Sequence, residues 1–312
     1  MPEHWEPQGH RDNNAKIRLL QINLNKSEKA HLDIINEQLC QDYDIILIQE
    51  PYTTIFNAVR TPTNFRPVFP AHRLTSQDQI CSVIWVSRKL DTNNWAALNI
   101  PGTNNITGIQ LKSPFGTISI FNIYNDCTHS RNEATLPKYI QDNPNIILAT
   151  DNHHTLWAGD FNRHHPLWDR DEDVHLFTQQ ANRFAEGLIG LIATYELVMA
   201  LLKGVPTLKH MVTGRYSRPD NMFSMAGISG LITRCEVVPS LYPTSTDHFP
   251  IVTNIQLPQE RVDHPPSFNF REVDWDGFRK KLDDRLNRAP GLRRINDQQQ
   301  LTMAVETLML AI

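Results

Sequence analysis

Short apolar runs that end in polar residues recur along this chain, and they set out its elements. Ile17, Leu19, Leu20 and Ile22 fall within Lys16 to Asn23 and predict a strand. Asp44 to Ile48 is a continuous apolar run, the mark of a strand buried on both faces. Pro51, which has no N–H for a ladder, stops it. Further strands are predicted over 81–86, 106–111, 117–124, 155–158, 197–202, 209–213, 221–225, 231–238 and 250–256. The turn at Ser113 to Gly116 makes 106–111 and 117–124 a hairpin.

Helices are fewer. Ser27 is placed to cap a helix over 28–41, with Leu32, Ile35 and Leu39 on one face. The strongest helical period runs from Asp173 to about Thr194, where Phe177, Ala181, Phe184 and Leu188 recur at i, i+4, i+7 and i+11. Many strands, scattered helices and no regular βαβα alternation argue against an α/β barrel. They predict an α/β fold of two mixed sheets packed face to face, with helices outside. Residues 1–15 read as a flexible lead and 16–257 as the globular part. Pro258, Pro265 and Pro266 then break the pattern. Residues 258–312 read as a linker and two amphipathic helices, one carrying Trp275, Phe278, Leu282 and Leu286, the other Leu301, Ala304, Val305, Leu308 and Ile312. Such helices need a partner surface, and the expectation is a chain cut short before a further domain.

Composition narrows the class. In 312 residues, 40% hydrophobic content provides for a real core. No run approaches the roughly 18 apolar residues of a membrane span, and the polar stretch Met1 to Asn14 has no signal-peptide core. Cys40, Cys81, Cys127 and Cys235 are far apart, which predicts reduced thiols and neither a zinc site nor a disulfide frame. A formal net charge of -4 argues against a broad nucleic-acid coat but is compatible with a local basic strip beside an acidic site.

The chemistry sits where the apolar runs end. Asn23, Glu50, Tyr124, Asp160, Asn162, Asp220, Asp247 and His248 together supply carboxylates, amides, a phenol and an imidazole. Phosphodiester hydrolysis needs a polarised phosphate, an activated water and a stabilised leaving oxygen. Hard oxygen ligands suit Mg²⁺ or Mn²⁺, so Glu50 is the expected metal ligand, with Asn23 in support. Gly159 permits a close backbone approach. Asp160 is placed to orient and deprotonate water, and Asn162 to bond the phosphate; alternatively the pair closes the strand as an Asx-turn. His248 needs a carboxylate to fix its tautomer, and Asp220 is the candidate. Tyr124 is either a phosphate donor or a core tyrosine. The pairs His153-His154 and His164-His165 lack zinc-site spacing and read as loop residues at the cleft rim.

These motifs resemble the endonuclease/exonuclease/phosphatase superfamily, and within it the apurinic-endonuclease-like nuclease domain of non-LTR (LINE-type) retrotransposons. The resemblance runs from about residue 16 to 256. It rests on residues 21–27, 48–52, 157–168 and 246–251, which read QINLNKS, IQEPY, WAGDFNRHHPLW and TDHFPI. It implies a four-layer α/β sandwich and Mg²⁺-dependent nicking of DNA by an intracellular, nuclear protein. It also implies Asn23, Glu50 and Asp247 on the metal side, Tyr124 and Asn162 at the scissile phosphate, Asp160 at the water and Asp220 behind His248. Asn25 and Thr207 match positions lining the cleft. The chain departs from the family in carrying Pro219 ahead of Asp220, where an apolar residue is usual. It also shows none of the reverse transcriptase motifs that normally follow such a nuclease, so that region would be a partner outside this chain.

A strip without acids between Glu196 and Asp220 carries Lys203, Lys209, Arg215 and Arg218 with His210 and Tyr216. The resemblance makes it a groove-probing hairpin, in which Lys209, Arg215 and Arg218 contact DNA. Three functions remain in play: a DNA-nicking endonuclease, a phosphatase of the same superfamily acting on a small phosphoester, and a non-catalytic remnant that binds a partner.

Overall fold

The computed structural model describes residues 15–36, 42–113, 116–127, 131–144, 153–257, 274–288 and 295–311. Two compact units divide the chain at Glu260 and Arg261.

In the first unit, two six-stranded mixed sheets are formed. One contains β1 (Ala15–Asn23), β2 (Ile45–Gln49), β3 (Phe65–Val68), β4 (Ser82–Ser87), β13 (Ile232–Val237) and β14 (Ile251–Leu257), in the order β13-β14-β1-β2-β4-β3. The other contains β5 (Trp95–Leu98), β6 (Ile106–Ser113), β7 (Gly116–Tyr124), β8 (His153–Asp160), β9 (Leu197–Met199) and β12 (Asp220–Met225), in the order β5-β6-β7-β8-β12-β9. A separate hairpin pairs β10 (Leu208–Lys209) with β11 (Tyr216–Ser217). β1 runs parallel to β2, and β7 parallel to β8; the other sheet pairings are antiparallel.

Side chains alternate across a strand, and here both sets are apolar. Ile17, Leu19, Ile45, Leu47, Ile118, Ile120, Leu156 and Ala158 share the core cluster to which both sheets contribute. Leu20, Ile22, Ile46 and Ile48 instead pack with Ala30 and Ile34 of α1 (Glu28–Asn36). Phe121, Ile123, Trp157 and Phe223 pack under α2 (Arg131–Asp142) and α3 (Gln179–Thr194). Helix, sheet, sheet and helix therefore form four layers, as expected from strands buried on both faces. The short α4 (Ala226–Ser229) adds Ile228 to the central layer. Gln49 donates to Asn122 across the two sheets, and Asn122 donates to Ile48 O at 2.9 Å and Val83 O at 3.0 Å, so the sandwich is also tied by buried amides.

Several expectations need correcting. The fully buried α1 residues are Ala30, His31 and Ile34; the expected Ile35 packs half-buried against the same cluster, Leu32 is half-buried, and residues 37–41 lie outside the described residues. Ser27 Oγ does accept the Ala30 N–H, at 3.2 Å. The long helix begins at Gln179 under a Thr178 cap, after a 3-10 turn at Val174–Leu176, and its buried residues are Ala185 and Leu188. Phe184 lies instead beneath the Arg163 guanidinium, 5.4 Å from its ring centre. β3 and β5 are edge strands, and α2 contains Pro137; none of the three was expected. Residues 1–14, 114–115 and 258–273 lie outside the described residues, so the lead, the centre of the 113–116 turn and the linker do too.

The second unit contains α5 (Trp275–Arg288) and α6 (Gln298–Ala311), both predicted as helical. Among the described residues no helix is long and apolar enough to cross a membrane.

Candidate active site

Along the strands the central face changes from apolar to polar. Ile17 and Leu19 lead to Gln21 and Asn23, Ile118 and Ile120 to Asn122 and Tyr124, and Leu156 and Ala158 to Asp160. Register brings these ends together: Asp160 is opposite Tyr124 on one side and Asp220 on the other. Rigid strands thus carry the polar groups to one edge of the sandwich.

Glu50 leaves β2 in a left-handed conformation (φ 43). Asn25, Lys26, Asn162 and Ser245, also at this edge, have positive φ as well. Such conformations cost non-glycine residues roughly 1–3 kcal/mol and collect at functional sites. Asn23 Oδ1 accepts the Asn25 N–H at 2.7 Å. A backbone N–H can only donate, so the amide's orientation is fixed and its NH₂ end faces the acids. It donates to Asp160 Oδ2 at 2.8 Å and Glu50 Oε2 at 3.3 Å. Asn23 therefore braces two carboxylates, and what it turns to the cluster is not the oxygen expected of a metal ligand. Lys26 Nζ lies 3.0 Å from Glu50 Oε1. Burial, and then the nearby charge of Glu50, push the Tyr124 phenol well above its ordinary range. It stays a proton donor.

Gly159 has φ 146, and a Cβ there would meet Ile123 O at 1.8 Å. No other residue type fits, and the following side chain, Asp160, is fixed accordingly. Asn162 N–H donates to Asp160 Oδ1 at 3.0 Å, which is the Asx-turn. Its Nδ2 donates to Asn125 O at 2.7 Å and to Asp160 Oδ2 at 2.9 Å. Both amide hydrogens are committed, so Asn162 holds Asp160 in place and has none left for a phosphate.

His248 Nδ1 lies 2.8 Å from Asp220 Oδ2. Thr207 Oγ1 donates to the same oxygen at 2.7 Å and accepts the Asp220 N–H at 3.1 Å. Nδ1 thus carries the hydrogen, and Nε2 faces Asp160 at 4.0 Å and Asp247 at 3.8 Å. Burial alone would lower the His248 pKa, but the Asp220 charge and hydrogen bond outweigh it and raise it. Burial, then the charge of Asp220, raise that of Asp160.

The remaining expected site residues divide. Asn25 Nδ2 donates to Asp247 Oδ1 at 3.1 Å at the exposed rim. Thr207 is fully buried behind Asp220 and cannot touch DNA. Lys209 and Arg215 are exposed on the hairpin, with the Lys209 ammonium 5.5 Å from the Tyr216 ring centre. Arg218 is 1% exposed and donates to the carbonyls of Trp168, Leu201 and Leu202; it ties loops together and is not part of any DNA-facing strip. Burial lowers its pKa to about 10, which leaves it charged at neutral pH. His153 and His154 open β8, at the opposite end from Asp160, so they do not line the rim. His164 lies 3.4 Å from Asp169 in a loop.

Four contributors escaped the sequence reading: Lys26, Asn125, Gln49 and Thr246. Thr246 Oγ1 donates to Asn23 O at 2.8 Å and accepts the His248 N–H at 3.3 Å, joining two motifs 223 residues apart. The signal was its place two residues before His248, the spacing at which a threonine hydroxyl accepts a backbone N–H in a turn.

Among the described residues, Glu50, Asp160, Asp220 and Asp247 meet Lys26 and His248 as their only cations, so the cluster is short of positive charge. Asp160, Asp220 and His248 each offer a ligand atom within 4.8 Å of one another. Excess carboxylate charge and hard oxygen donors fit a divalent cation.

A family model described as Endonuclease-reverse transcriptase matches residues 118–252. Among proteins with curated functions none matches the sequence. Among solved structures, the endonuclease domain of TRAS1, a telomere-specific non-LTR retrotransposon, is similar at 22% identity and a TM-score of 0.60, over 78% of this chain and 100% of that one. The AP endonuclease LMAP from Leishmania major is similar at 11% identity and 0.61, over 78% and 88%. An AP endonuclease from Archaeoglobus fulgidus gives 14% and 0.54, over 77% and 100%. The resemblance drawn from the motifs holds, and at these identities what the structures share is the fold.

Proposed function

We propose that this chain, which has the endonuclease/exonuclease/phosphatase fold, is a divalent-metal-dependent phosphodiester hydrolase that nicks DNA. The observation that carries the reading is the Asp220–His248 pair at 2.8 Å, with the other face of the imidazole turned to Asp160 and Asp247.

Each residue then has a distinct task. Asp220, oriented by Thr207, holds His248 with Nε2 free to donate to a phosphate oxygen. Asp160 takes the proton of the attacking water, and its oxygens are aimed by Asn23 and Asn162. Tyr124 gives its hydroxyl to the charge developing on phosphate. Glu50 and Asp247 would hold Mg²⁺ or Mn²⁺, which when bound polarises the phosphate and stabilises the leaving oxygen. Lys209 and Arg215 on the hairpin supply phosphate contacts. DNA is the substrate, and an element-encoded reverse transcriptase is the expected functional partner in the nucleus.

The test is plasmid nicking with Mg²⁺, with and without EDTA, by wild type, Asp160→Ala and His248→Ala. Wild type is expected to nick only with metal, and each variant to lose at least about 10²-fold while keeping its circular dichroism. Retained nicking by folded Asp160→Ala sinks the mechanism. Absent nicking with phosphate release from a small phosphoester makes the chain a phosphatase.

A further inference from the structure

Ile55 and Phe56 are 95% and 85% exposed, the first and third most exposed of the large apolar side chains described, with Val212 (89%) between them. Single exposed apolar residues are ordinary, but two adjacent ones at a loop tip are not. The loop that carries them is firmly built. Thr54 and Ala58 close it, with Thr54 N–H donating to Ala58 O at 2.9 Å. Thr54 Oγ1 accepts both the Phe56 and the Ala58 N–H at 3.3 Å. Asn57 takes the left-handed conformation (φ 55), and its Nδ2 ties the turn to Asp78 O at 3.2 Å. Among the described residues, the two side chains find almost nothing to pack on inside these bonds.

Position says what they meet. The loop leaves β2 at Glu50, and Phe56 is six residues on, within about 20 Å of the carboxylates at full extension. That spans about six base pairs. On the other flank Val212 lies five residues beyond Thr207, at the tip of the hairpin. Arg73, exposed and stacked on Phe69 at 3.9 Å, accompanies the first loop and suits a phosphate, while exposed Arg60 pairs with Glu28 at 3.4 Å. A duplex lying across the cleft at Glu50 passes within that reach of the tip.

We propose that Ile55–Phe56 is an apolar wedge that inserts into the DNA groove beside the cut and partly unstacks a base step. The proposal rests on the nuclease reading of the cleft. A preformed tip loses little freedom on binding, and apolar wedges between base steps let a bent duplex meet more protein surface. A wedge releases no counterions, so it adds affinity without adding to the salt dependence.

The experiment compares full-length wild type with Ile55→Ser/Phe56→Ser on a duplex carrying 2-aminopurine at successive steps around the nick, in EDTA, over a salt series. Hydrolysis of bis(p-nitrophenyl) phosphate with Mg²⁺ reports the active site separately. Expected are a dissociation constant raised about tenfold at every salt concentration, an unchanged log–log slope, loss of the fluorescence rise at one step and unchanged hydrolysis of the small ester. Equal affinity and fluorescence in a pair that both nick DNA overturn the wedge and leave the nuclease reading standing. Loss of self-association or of vesicle binding in the variant, with DNA binding unchanged, assigns the tip elsewhere and overturns it too. Wild type that neither binds nor nicks DNA removes the nuclease reading and the wedge together.

Discussion

Single side chains set the geometry of this site, and their partners predict what each substitution costs. Thr207→Val removes one bond to the Asp220 carboxylate and one from its N–H. We expect a loss of about 1–2 kcal/mol in urea unfolding and a fall in kcat of about 10-fold or more, because the orientation of His248 is then unsupported. Arg218→Leu takes the guanidinium away from the carbonyls of Trp168, Leu201 and Leu202, of which, among the described residues, only Trp168 O keeps another donor, the Gly204 N–H at 2.8 Å. It should cost about 3 kcal/mol while leaving the salt slope of DNA binding unchanged, whereas Arg215→Ala should flatten that slope by about one. The residue types of the site were legible in the sequence, since carboxylates, amides and an imidazole at the ends of apolar runs are conspicuous. Their contacts were not. Whether Asn23 turns its NH₂ or its oxygen to the acids depends on Asn25 N–H, and whether Arg218 is buried depends on carbonyls from a loop some 16 and more residues away in sequence.

At the level of elements, His31 links α1 to the loop after Glu50. Its Nε2 lies 2.9 Å from Arg60 O and its Nδ1 accepts the Tyr52 N–H at 3.2 Å. A carbonyl only accepts and an amide N–H only donates, so the ring is neutral with its hydrogen on Nε2. Burial, chiefly, lowers its pKa below the usual 6.5. Below pH 6.5 the unfolded chain takes a proton that the folded one refuses, so stability rises with pH in that window and falls as acid is added. Chemical denaturation between pH 7 and pH 5 should show this decline, and His31→Gln, which never charges, should lack that part of it. Strands were the most legible elements, because apolar runs buried on both faces are hard to mistake. The two edge strands were missed for the reverse reason: Phe65–Val68 contains a proline and Trp95–Leu98 is half exposed. Helix faces were displaced by about one residue because large side chains were weighed above small ones, whereas Ala30 and Ala185 are fully buried against the sheets.

For the whole molecule the main tension is electrostatic. Among the described residues, four acids facing two cations hold the edge of the sandwich under mutual repulsion, and a bound divalent ion should relieve it. Thermal unfolding is expected to shift upward with Mg²⁺, by an amount corresponding to about 2.7 kcal/mol at a hundredfold excess over Kd. Glu50→Gln/Asp247→Asn should raise the metal-free midpoint and abolish the shift. A shift that survives in this double variant would move the ion to other ligands. Two face-to-face mixed sheets with helices outside followed from many strands without βαβα alternation, and the four-layer sandwich was what the motif resemblance implied.

The pairing of β1 with β14, Ala15 opposite Leu257, joins the beginning of the globular unit to its end. A ribosome making this chain therefore completes Asn23, Glu50 and Asp160 long before the segment carrying His248 emerges, and the first strand must wait for the last. Loop closure over so long a separation is slow. Cleavage should accordingly be the final property acquired: in refolding from urea, nicking should return with the slowest phase, after most of the helical signal has recovered. On the proposed function, the chain would be harmless to nearby nucleic acid until the strand that pairs with β1 had emerged.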